Sequence, residues 1–93
     1  AKQDILVSEH ERIAAALASS EIGERELAQA RDQVAKWIRG ATCSPRYVKR
    51  WSKILAGSPV EVADRLLEIE VEERNALFQN TPFGFLLTDR VRS

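Results

Sequence analysis

Cysteine and histidine are almost missing from this sequence, which has one of each, Cys43 and His10. A single cysteine closes no internal disulfide, so a reducing compartment is its natural home, and Cys43 reads as a small, partly buried side chain. A structural zinc site lacks ligands, and no nucleophile has a nearby histidine placed to activate it. Glu68, Glu72 and Glu73 are carboxylates on helix surfaces without a metal-ligand partner, and His10 reads as a partly exposed helix residue. No catalytic residue, metal or cofactor is therefore expected, and the chain is not read as an enzyme. Long apolar runs are missing too. The longest, Ile13 to Ala18, is far short of the roughly 20 residues of a membrane span. No basic stretch followed by an apolar run and a cleavage site marks it for export, so a cytoplasmic protein is expected. Net charge is absent as well, with 14 basic residues against 14 acidic ones. That balance, with 44% hydrophobic residues, excludes the composition of a disordered chain. One domain spanning 1–93 is the reading, since a core usually takes on the order of 100 residues.

Proline is scarce, but its three occurrences organise the chain, because each follows a hydroxyl residue: Ser44-Pro45, Ser58-Pro59 and Thr81-Pro82. A hydroxyl at the N-cap accepts a hydrogen bond from an orphan amide, and proline suits the first helical position, where its missing N–H would have been unpaired anyway. Ser58 with Glu61, and Ser8 with Glu11, also fit the capping box. Gly23, Gly40 and Gly57 stand where a left-handed residue would end a helix, and Asn80 can do the same before Thr81. These signals predict helices near 8–19 (starting as early as Asp4), 24–39, 45–56, 59–69 and 71–79, and a short one at 82–90.

Apolar spacing agrees. Leu27, Val34, Trp37 and Ile38 share one face of the second helix, and Tyr47, Val48, Trp51, Ile54 and Leu55 form a stripe on the third. Helix four is apolar on more than one side (Val60, Val62, Ala63, Leu66, Leu67, Ile69), which predicts a central position. Two-residue alternation never persists. The fold class expected is all-α: a compact bundle of five to six short helices containing a helix-turn-helix-like unit.

Charge is balanced in sum but not in place. From Lys36 to Lys53 there are six basic residues (Lys36, Arg39, Arg46, Lys49, Arg50, Lys53) and no acidic one. From Ile54 to Asn80 the balance reverses, with Glu61, Asp64, Glu68, Glu70, Glu72 and Glu73 against Arg65 and Arg74. Arg46, Lys49, Arg50 and Lys53 stack on the face opposite Trp51 and Leu55. Like charges at such spacings weaken an isolated helix by a few tenths of a kcal/mol per pair, a cost that an anionic partner would explain. The competing reading is a solvated face answered by the acidic helices of the same chain or of a second copy.

The run Ser44-Pro45-Arg46-Tyr47-Val48-Lys49-Arg50-Trp51 resembles the opening of a recognition helix in bacterial helix-turn-helix regulators. Val48 and Trp51 would pack inward while the cations reach phosphates or guanine edges. In a second register, Arg31-Asp32-Gln33-Val34-Ala35-Lys36-Trp37-Ile38-Arg39-Gly40, with Pro45 and Ile54-Leu55 after it, resembles the recognition helix and following helix of the lambda-repressor-like (Xre) regulators. In that pattern Glu26-Leu27-Ala28 begins the preceding helix. The resemblance spans residues 24–58 and implies a small transcriptional regulator that binds double-stranded DNA sequence-specifically. Both registers nominate Arg46, Lys49, Arg50, Lys53, Lys36 and Arg39. Trp37, Tyr47 and Trp51 are read as core rather than as stacking platforms for unpaired bases.

Phe78, Phe83, Phe85, Leu86 and Leu87 concentrate the chain's phenylalanines near its carboxyl end. Such a segment either closes the core or buries against a second copy, as in a homodimer reading a two-fold DNA site, and both readings stay open. The alternative function is a non-enzymatic helical interaction module, an antagonist or adaptor that grips an acidic or hydrophobic protein surface.

Overall fold

The computed structural model describes residues 2–87, with side chains from Asp4 onward. Five α-helices follow one another: α1 (Lys2–Ala18), α2 (Glu24–Gly40), α3 (Pro45–Ile54), α4 (Pro59–Glu68) and α5 (Val71–Gln79). A single 3-10 turn at Gly84–Leu86 follows, and no strand occurs among the described residues. None of the described helices is long and apolar enough to cross a membrane.

The fold class is as expected, an all-α bundle, and several expected boundaries hold for the expected reasons. At the start of α4 the Glu61 amide donates to Ser58 Oγ at 3.3 Å and the Ser58 amide donates to Glu61 Oε1 at 3.0 Å, a reciprocal cap. Pro45 opens α3, but there the Ser44 hydroxyl makes no capping bond. Gly57 is left-handed, with φ +94°.

Other boundaries differ. Ser8 does not start α1; it lies inside a helix that begins at least a turn earlier, because Leu6 is already buried against the core. Nor does Gly23 end that helix. Ser20 supplies the left-handed residue there, with φ 69°, and Gly23 instead precedes α2 in an extended conformation, its amide donating to Glu26 Oε1 at 3.3 Å. Ala41, with φ 50°, rather than Gly40, closes α2. Asn80 ends α5 at φ −117°, its side-chain amide donating to the Ala76 carbonyl at 2.8 Å. The Thr81-Pro82 pair opens no α-helix. Its hydroxyl accepts from the Phe83 amide at 3.1 Å and the chain makes only the 3-10 turn. Residues 88–90 of the helix expected at 82–90 lie outside the described residues.

Packing is organised around α1, whose buried positions Leu6, His10, Ile13, Ala14 and Leu17 recur at helical spacing. Against them lies α4 through Val62, Ala63 and Leu66, with α5 alongside through Leu77 and Phe78. Helix α4 is therefore not central: it buries one face, and Val60 and Leu67 stand out in water at 52% and 53% exposure. On the other side α2 packs on α3, joining Leu27, Ala30 and Val34 to Val48, Trp51 and Ile54. Ile38, expected on that face, is 60% exposed in the last turn of α2.

Four rings fill the centre. The His10 ring stacks on Phe78 at 4.0 Å between centroids and 4° between planes, and Trp51 meets Phe83 edge-on at 6.0 Å. His10 is thus core, 1% exposed, and not the partly exposed residue its letter suggests. Its Nδ1 lies 2.8 Å from the Leu6 carbonyl, which can only accept, so Nδ1 carries the proton. Nε2 is then an acceptor and the Thr81 hydroxyl donates to it at 2.8 Å, tying α1 to the carboxyl-terminal turn. Burial holds the imidazole down at about 4, outweighing the Leu6 carbonyl and Glu9, which favour the charged ring.

Candidate functional site

Helix α3 presents the two faces its spacing predicts. Val48, Trp51 and Ile54 are buried, Tyr47 is half-buried, and Arg46, Lys49 and Lys53 are exposed. The fixed inner face gives the outer cations a rigid base, since Trp51 is wholly enclosed and anchors the helix to α1 and the terminal turn through the ring cluster. Among the described residues Trp51 Nε1 has no hydrogen-bond partner, so the site is filled for shape rather than for the indole N–H.

Arg50 does not belong to the free cations. Its Nε donates to Glu73 Oε2 of α5 at 3.0 Å, with both side chains a little over a third exposed, and so links two helices far apart in sequence. Lys36 lies 3.2 Å from Asp32 within α2, an exposed pair of the kind worth a few tenths of a kcal/mol, which does not hold the lysine from other partners. Arg39 is exposed near the end of α2. Of the six nominated cations, then, Arg46, Lys49, Lys53 and Arg39 face solvent, Lys36 is weakly held and Arg50 is committed.

The acidic second half of the chain answers part of the basic face. A cleft of about 210 Å3 separates α3 from α5, with Arg46, Tyr47 and Arg50 on one side and Glu72, Glu73 and Ala76 on the other. A shallower groove, lined by Lys53, Ile54 and Glu68, runs between α3 and α4.

Helix α2 runs unbroken from Glu24 to Gly40, so the turn that the second register needs before Arg31 does not exist. Arg31 has a different task. Its Nε donates to the Leu55 carbonyl at 2.9 Å and its Nη2 to the Gly57 carbonyl at 2.7 Å, while Arg65 donates to the Ala56 carbonyl. Two guanidinium groups thereby satisfy successive carbonyls of the connection between α3 and α4. The four residues Ala41–Ser44 connect α2 to α3.

The tail is divided. Phe78 and Phe83 are buried at 3% and 0% exposure in the chain's own core, so neither has surface to offer a second copy. Phe85, Leu86 and Leu87 are half-buried against that core, and Arg12 Nη2 donates to the Leu86 carbonyl at 2.6 Å. Trp37 is likewise half-buried. No family model, curated protein or solved structure matches this chain.

Proposed function

We propose that the chain binds double-stranded DNA through the outer face of α3, as a small regulator does with a recognition helix. The observation that carries this reading is the row of Arg46, Lys49 and Lys53, exposed together on a helix that has no acidic residue and whose opposite face is locked into the core. A helix so held meets a groove without losing further conformational freedom, and its cations supply phosphate contacts and the bidentate geometry for guanine. The committed Arg50 braces α3 against α5 instead of contacting bases.

The test is duplex binding by the parent and by Lys49→Glu/Lys53→Glu at two salt concentrations. Both side chains are exposed, so circular dichroism should stay helical while binding is lost. Equal binding by a folded variant would remove α3 from the interface.

A second reading, an interaction module gripping a hydrophobic protein surface, is favoured by Val60, Leu67 and Val71, large apolar side chains that stand exposed on α4 and at the start of α5. Failure of the parent to bind any duplex at low salt would select it.

A further inference from the structure

We infer that the cleft between α3 and α5 is a binding site for a small zwitterion, a free amino acid or a molecule of the same amphoteric class. The cleft holds four charged side chains in two opposed pairs, arginines from α3 and glutamates from α5. One pair is closed, Arg50 to Glu73 at 3.0 Å. The other is open: among the described residues neither Arg46 nor Glu72 has a hydrogen bond or an ion pair. Arg46 stands one turn before Arg50 on α3, and Glu72 precedes Glu73 on α5, so the unused cation and the unused anion belong to opposite walls of the same space.

That arrangement selects by charge. A simple anion is drawn to Arg46 and repelled by Glu72, a simple cation the reverse, and a neutral molecule leaves both charges without a partner as it displaces their water. A molecule bearing a carboxylate and an ammonium group satisfies both. Tyr47, Ala76 and Leu77 provide an apolar lining for its carbon chain. The volume, about 210 Å3, is below the roughly 300 Å3 at which sites for drug-sized ligands begin, which suits a ligand of a few non-hydrogen atoms. The inference does not require α3 to meet a duplex, but it uses Arg46, which the DNA reading assigns to a phosphate, so the two ligands would compete for that side chain.

The experiment is a titration of the full chain followed by 1H–15N spectra, with four probes of five or six carbons. L-Norleucine and 6-aminohexanoate carry both charges at two spacings; hexanoate and pentylamine carry one each. At least one zwitterion should shift the amides around 46–50 and 72–77 saturably, with Kd on the order of 1 mM. The single-charge probes, and the variants Arg46→Gln and Glu72→Gln with the zwitterion, should bind about fivefold more weakly or worse. The variants change exposed side chains, so a spectrum of parental dispersion checks their fold. Absence of saturable shifts with both zwitterions would overturn the inference. So would equal binding of hexanoate or pentylamine, or parental affinity in both variants.

Discussion

Acidification from pH 7 to pH 5 should destabilise this protein through one residue, His10. Its ring is 1% exposed, stacked on Phe78, and bonded at both nitrogens in the neutral form. Burial lowers its folded pKa from 6.5 to about 4. In the unfolded chain the ring takes up a proton as the pH falls through 6.5, while the folded chain refuses one until about 4. The stabilisation is therefore complete above 6.5, declines between 6.5 and about 4, and is gone below. The whole gap is worth about 3 kcal/mol, of which about 2 kcal/mol falls between pH 7 and 5, a large part of the roughly 5 to 10 kcal/mol that a domain of this size has. Glu61 has the opposite charge type but the same direction of effect: its carboxyl is lowered from 4.5 by the Ser58 amide and hydroxyl, so its contribution is lost only as the pH falls below 4.5. The window from 6.5 to 5 thus separates the effect of His10 from that of Glu61. Urea unfolding at half-unit steps is the assay, with His10→Gln as the control. The variant should be less stable at pH 7 by about 1 kcal/mol, for the lost stacking, yet nearly flat down to pH 5. Identical slopes for parent and variant, or a parent as stable at pH 5 as at pH 7, would refute the reasoning.

Trp51→Ala should cost about 3 to 5 kcal/mol, enough to unfold much of the population, whereas Trp51→Phe should cost far less because it removes an indole N–H that has no partner among the described residues; thermal melts of the two separate shape from polarity. A chain ending at Asn80 should fail to fold cooperatively, since it loses the buried Phe83 ring and the Thr81 hydroxyl that holds His10; a sharp melt at parental temperature would contradict this. Gly57→Ala should destabilise by about 1 kcal/mol or more, because φ is +94° and the new methyl would sit 2.8 Å from Glu61 Oε1, whereas Ser20→Gly, at φ 69°, should be neutral or stabilising in the same melts.

Helix positions were legible where a local signal decides them. Ser58, Pro59 and Glu61 sit within one turn, so the cap they form depends on nothing distant, and the stripe of α3 from Val48 to Leu55 reads directly as a buried face. His10 was legible in principle, because it continues the spacing of Leu6, Ile13, Ala14 and Leu17, but a lone polar residue in an apolar stripe reveals its burial only when its partners are known. Those partners are the Leu6 carbonyl, one turn back, and Thr81, at the other end of the chain. The tasks of Arg31 and Arg65 follow from where the α3–α4 connection lies in space, and the pairing of Arg50 with Glu73 from how α5 returns beside α3. Val60 and Leu67 misled for a related reason: composition says that α4 has two apolar sides, and only packing says that one of them has no neighbour.

The central claim, that the outer face of α3 meets the phosphates of a duplex, is tested most directly by the salt dependence of binding. If Arg46, Lys49 and Lys53 each neutralise a phosphate, log K against log salt should have a slope of about −2.7, falling to about −1.8 in Lys49→Gln. An unchanged slope in that variant, or no binding by the parent at about 50 mM salt where such contacts are strong, would contradict it.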